Sequence, residues 1–167
     1  MNKIKIALLT LISLILLSSI CHAELKKELL IDIELSPIGS FQIESKRFKG
    51  GKITKNGNRY LVENIYVPSK TLKTGMDLRD KHVRTRLMND NILVISASGK
   101  NGEGSGIIVV RNIEKEFNFT FEELSEKFIR AKFNLSLQEF KVPDLSYMGI
   151  TVKDNVSISV TLPYTNK

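Results

Sequence analysis

A chain of 167 residues with 42% apolar residues, only four prolines and no tryptophan is one domain's worth of globular protein, without repeats or a low-complexity tract. Its formal charge of +7 comes from 25 basic and 18 acidic residues. The bases are scattered among the acids instead of forming a stripe, which reads as a mixed solvated surface and argues against a nucleic-acid footprint.

The first segment reads as a leader. Lys3 and Lys5 form a basic start, Ile6 to Ile20 is an apolar run broken only by small hydroxyl residues, and Cys21-His22-Ala23 is an A-x-A-like cleavage site. Two other readings compete. The apolar run is short for a membrane anchor, and the bulky Ile20 sits where lipoprotein processing before Cys21 wants a small residue. Cleavage after Ala23 is therefore expected. It removes two lysines, the only cysteine and one of two histidines, leaving +5 and no thiol chemistry. A hydrophobic core must then stabilise the remaining chain, which is long enough to build one.

From Leu29 onward the chain alternates with period two. Leu29, Ile31, Ile33 and Leu35 share one face of a strand that ends at Ser36-Pro37, and Phe41 and Ile43 continue the pattern in a second. A short strand at 52–54 meets an Asn56-Gly57 turn before Arg59 to Val67. Pro68 closes that strand. After a helical segment come Ile92 to Ala97, a glycine-rich turn over 99–106, and Ile107 to Asn112. Phe117, Phe119 and Phe121 then alternate with polar residues, as do Ile129, Ala131, Phe133, Leu135 and Leu137. Val156, Ile158, Val160 and Leu162 repeat the pattern in the last strand. The stretch 140–149, with Pro143 and Gly149, reads as a loop or a 3-10 turn at a barrel mouth. About eight short-connected strands without helical crossovers predict an all-β fold, an antiparallel barrel.

The exception to this pattern lies over 74–88. Thr74 and Asp77 have capping-box spacing, Asp77 with Lys81 and Asp80 with Arg84 are acid-before-base pairs at i,i+4, and Arg84 and Arg86 fall in the last turn. Met76, Val83 and Leu87 make a narrow apolar stripe, and Asn89, Asp90 and Asn91 stop the helix. The spacing predicts a helix that caps one end of the barrel.

Catalytic chemistry has little support. His82, the only histidine left after cleavage, is a candidate general base beside Asp80 and Arg84, but reads more simply as a rim residue. No G-x-S-x-G elbow is present, and one histidine without cysteine makes a poor transition-metal set. No cofactor and no enzyme activity are expected. The N-x-S/T matches at Asn118, Asn134 and Asn155 fall inside predicted strands and read as chance. Arg79, Lys81, Arg84 and Arg86 are the one dense cationic group, either a solvated helix face or a mouth that attracts an acidic head group.

Three runs of residues carry a family resemblance. Leu72-Lys73-Thr74-Gly75 followed by Leu78 to Arg84 (LRDKHVR), GSFQIESKRFKG over 39–50 and YMGITVKDNVSISV over 147–160 resemble, in order, the YceI-like proteins. Together they span nearly all of 24–167. The chain departs from that pattern after the helix, where MNDNILVISASG lacks the tyrosine-proline pair. The resemblance implies a periplasmic (alternatively secreted) lipocalin-like barrel that holds a polyisoprenoid or other long-chain lipid in its interior. It is expected to be a monomer or homodimer without stable membrane insertion. Under it, Phe41, Ile43, Phe117, Phe119, Phe121, Phe133, Leu135 and Phe140 become the candidate ligand-binding residues, and Arg79, His82 and Arg84 the candidate head-group residues. Without it, the same phenylalanines read as packed core. The alternative is a stress-related interaction protein whose barrel is fully packed and acts through its surface. Burying ten methylenes offers about 8 kcal/mol gross, from which association subtracts several, so burial alone favours a long tail over a small metabolite.

Overall fold

The computed structural model describes residues 24–143, 146, 147 and 149–167, and the expected leader lies outside these. Among the described residues twelve strands form one continuous sheet. They are β1 (Glu28–Ser36), β2 (Ser40–Ser45), β3 (Lys49–Gly50), β4 (Ile53–Asn56) and β5 (Arg59–Val67), then β6 (Ile92–Lys100), β7 (Glu103–Val110), β8 (Ile113–Ser125) and β9 (Phe128–Ser136), and finally β10 (Ser146–Tyr147), β11 (Ile150–Val152) and β12 (Asn155–Asn166). A 3-10 turn (Ser69–Thr71) and one helix, α1 (Asp77–Arg86), lie between β5 and β6.

Seven strands close a ring, running β12-β4-β5-β6-β7-β8-β9 and back to β12. The expected antiparallel barrel with one short helix is therefore present, with two refinements. The pairing of β12 with β4 (Tyr164 beside Ile53) is parallel. One edge of β12 is shared: Ser157–Thr161 pair with β1, and Tyr164–Asn166 pair with β4. The ring is complete only at the β4 end. At the other end β1 and β2 lean away as a hairpin, and the gap beyond β2 is spanned by a Glu44–Lys73 bridge and α1.

Inward positions of the strands supply a continuous apolar core. Leu29, Ile31, Ile33, Ile43, Val156 and Ile158 gather beneath Leu72 at the α1 end. Ile53, Tyr60, Ile65, Ile129, Leu162 and Tyr164 fill the complete ring. Side-chain rings at the bottom pack edge-on, with Tyr60 at centroid distances of 5.3 Å from Phe121 and 5.2 Å from Tyr164.

Turn chemistry refines three boundaries. Asn56 is the last residue of β4 and pairs with Arg59, so the turn is Gly57-Asn58, with Gly57 at φ +60°. The glycine-rich stretch 99–106 is mostly strand. Only Asn101 and Gly102, both at positive φ, make the turn there. Gly99 and Gly104 instead make room for aromatic rings: a Cβ would lie 2.5 Å from Phe121 at Gly99 and 2.4 Å from Phe119 at Gly104. Small residues on β6 and β7 are thus the complement of the phenylalanines on β8.

Gly104→Ala tests that complementarity, since the added methyl also meets the Ser98 carbonyl oxygen at 2.6 Å, a backbone atom of the paired β6. The expected loss is about 1–3 kcal/mol in a urea melt, with the native strand content retained. An unchanged midpoint would mean that β7 and β8 are loosely packed.

Candidate functional site

Two adjoining apolar cavities occupy the barrel, each of about 110 Å³. The first lies under α1, between β1, β2, β12 and the segment 135–142. Ile33, Phe41, Ile43, Leu72, Val83, Leu87, Leu135 and Phe140 are among its walls. The second lies within the ring, walled by Ile65, Val94, Ile108, Phe117, Phe119, Phe133 and Leu162, with others. Ile31, Ile92 and Ile158 line both, and so form a waist between the two chambers. Among the described residues Arg86 is the only charged one on either wall.

The candidate ligand-binding residues divide accordingly. Phe41, Ile43, Leu135 and Phe140 border the first chamber, and Phe117, Phe119 and Phe133 border the second. Phe121 borders neither, because it sits below the second chamber against Tyr60. None of the three candidate head-group residues reaches a chamber wall. Arg79 lies over the Phe41 ring, 4.5 Å from its centroid, with Nη2 3.2 Å from the Met76 sulfur, so it covers the outer side of that wall. His82 is exposed and Arg84 half-buried on other faces of α1. Arg86 is two residues, and so about 200°, further round the helix from Arg84. Its spacing of three from Val83 on the apolar stripe was the available sequence signal.

Helix α1 begins three residues later than its capping-box pattern predicts. Met76 is the N-cap and contributes no side-chain bond. Gly75, at φ +80°, turns the chain so that Thr74 falls back against Asp80, not Asp77. The Asp80 Oδ1 accepts hydrogen bonds from the Thr74 amide at 2.7 Å and the Thr74 hydroxyl at 2.8 Å, and Lys73 Nζ lies 2.9 Å from Oδ2. The expected Asp80–Arg84 pair is replaced by this contact. Lys73 also exchanges two backbone bonds with Glu44 of β2, so the latch ties the helix to the sheet. Met76 is exposed, while Val83 and Leu87 pack on the core. The helix ends at Arg86 with Leu87 as its C-cap, two residues short of expectation, because Met88 and Asn89 both turn left-handed at φ +58°.

The far end is sealed differently. Lys55 Nζ lies 2.7 Å from Glu123 Oε1 and 5.2 Å from the Tyr60 ring centroid, and the Tyr164 hydroxyl donates to Glu123 Oε2 at 3.2 Å. The Lys55 hydrogen bond, first among several, lowers the Glu123 pKa. Burial pushes the Tyr60 hydroxyl, which has no hydrogen-bond partner, up. A polar plug thus overlies the aromatic floor of the second chamber.

Among the described residues no helix is long and apolar enough to cross a membrane, and no group of three or more histidine, cysteine, aspartate or glutamate residues is placed to hold a metal ion. No family model matches the chain, and no curated protein sequence matches it. Its fold is similar to that of a polyisoprenoid binding domain from Saccharophagus degradans implicated in plant cell wall breakdown, with a TM-score of 0.56 at 9% identity. The match covers 81% of this chain and 91% of that domain.

Asp80 links the lid to pH. Burial acts to raise its pKa, but the Lys73 ammonium and the two Thr74 donors outweigh it and hold the value at about 2, below the ordinary 3.8. A depressed folded-state pKa stabilises above the unfolded value, so the contribution is complete above about pH 4 and is lost as pH falls towards 2. An NMR titration is expected to place the Asp80 carboxyl midpoint near 2, with the thermal midpoint falling across the same window. Asp80→Asn is expected to cost about 1.5–3 kcal/mol at pH 7 and to flatten that acid dependence. A normal Asp80 titration would contradict the latch.

Proposed function

We propose that this protein is an exported carrier of the YceI-like kind, which binds the long apolar tail of a polyisoprenoid or similar lipid inside its barrel and transforms nothing. The observation that carries this reading is the pair of apolar, adjoining chambers within a fold shared with a polyisoprenoid binding domain. The lipophilic walls and the single cation, Arg86, suit an apolar tail with one polar or acidic end. The leader expected over 1–23 fits a working place in the periplasm. Lipid is the proposed partner, with no nucleic acid.

The volumes set a condition on the mechanism. Apolar cavities of roughly 150 Å³ accommodate benzene. Each chamber here is smaller, so a tail of several isoprene units has to thread both and displace the Ile31, Ile92 and Ile158 waist. The tail replaces contacts between side chains by contacts with itself, and burial of its methylenes drives the exchange at about 0.8 kcal/mol each.

Native mass spectrometry of protein purified from its own periplasm, followed by organic extraction, tests the reading. A stoichiometric polyprenyl species is expected, and Ile92→Trp, which fills the waist from the half-buried Ile92 position, is expected to abolish it while circular dichroism stays native. A mass that remains free of lipid after incubation with polyprenyl lipids would favour a packed barrel acting through its surface.

A further inference from the structure

Resting on the carrier reading, the structure assigns a way in for the lipid: we propose that the tail enters sideways, through a slit in the barrel wall between β8 and β9. The ladder between these strands starts at Ser125–Phe128 and ends at Thr120–Lys132. Beyond it, β8 stays paired with β7 down to Ile113, and β9 stays paired with β12 up to Ser136. No backbone pair joins the facing edges of 113–119 and 133–136. The loop after β9 enters the upper part of this gap, where the buried Phe140 packs on Ile108, Val110 and Phe117 and its carbonyl accepts from Arg111 at 3.1 Å.

Side chains, not backbone, therefore close the slit. The Phe117 and Phe133 rings stand 4.7 Å apart across it. Phe117, Phe119 and Phe133 border the second chamber and also an outer groove of about 960 Å³, and Leu135 and Ile158 border the first chamber and the same groove. One layer of side chains is all that separates the groove from the interior. Elsewhere the route is barred: the ring end by strands and the Lys55–Glu123 plug, the other end by α1 and its Asp80 latch. Opening the ring between paired strands breaks backbone hydrogen bonds, whereas here two phenylalanines need only change rotamer. The groove is also edged by Glu116 and Lys132, polar groups against which a head group rests while the tail passes inward.

A cross-link across the slit tests this. Asn118 and Asn134 are exposed and would face each other two residues beyond the Thr120–Lys132 pair. They are replaced in the full chain (Asn118→Cys with Asn134→Cys, and Cys21→Ser) and the exported protein is joined with a short bis-maleimide. Uptake of a fluorescent polyprenyl phosphate from phosphatidylcholine vesicles is then followed in time. The bridge is expected to slow uptake and release by roughly tenfold or more, while protein loaded before bridging keeps its lipid. Each single cysteine capped with the same reagent is expected to behave as the unmodified protein. Bridged protein that loads at the unmodified rate would overturn the portal and leave the carrier reading standing. Failure of the unmodified protein to take up any of the lipid would overturn the carrier reading and the portal together.

Discussion

One edge of strand β12 has two successive partners, and the shape of the molecule follows from that sharing. Because Ser157–Thr161 pair with β1, the strands β4 to β6 are held away from β12 at that level. Because Tyr164–Asn166 pair with β4, they return to it lower down. The result is a barrel complete at one end and splayed at the other, which is why two chambers exist in place of one filled core. The splayed end needs a cover, and the segment between β5 and β6 supplies it.

The cover and the floor use different physics. At the floor, aromatic edge-to-face packing excludes space, and Gly99 and the exposed Lys55–Glu123 pair serve that packing: one by leaving room for Phe121, the other by overlying the tyrosine rings. At the cover, a short helix with little apolar surface of its own is held by one buried carboxylate. Asp80 is 2% exposed and collects two hydrogen bonds and an ammonium. A buried charge so fully satisfied fixes one orientation of the helix, since any rotation would leave the charge without partners. Between floor and cover the wall is paired sheet except beyond β2, where the Glu44–Lys73 bridge and α1 span the gap, and between 113–119 and 133–136, where phenylalanine side chains close it.

Much of this was legible in order along the chain. The period-two alternation of β1, β8, β9 and β12 marks which residues face inward, and the hydrophobic set at 117, 119, 121, 129, 131 and 133 falls on one face as that pattern requires. The capping-box spacing of Thr74 and Asp77 was misleading because Gly75 allows a turn that a local pattern of side chains does not reveal. Glycines at 99 and 104 read as turn residues because the rings that need their missing side chains lie one or two strands away. The head-group candidates were chosen by charge density, yet density on a helix says nothing of direction. Only docking on the sheet turns Arg86 inward, sends Arg79 over Phe41 and leaves His82 outside.

The sequence by itself determined the class of fold and the apolar face of each long strand, because side-chain alternation is a local property of an extended backbone. Tertiary structure decided which of those apolar residues enclose space and which merely pack. Ile31, Ile92 and Ile158 look no different in sequence from Leu29 or Ile129, and become a waist only through the partner exchange of β12. The slit between β8 and β9 was equally invisible, since two strands with unbroken alternation can pair or part, and the choice rests with the neighbours that claim their other edges.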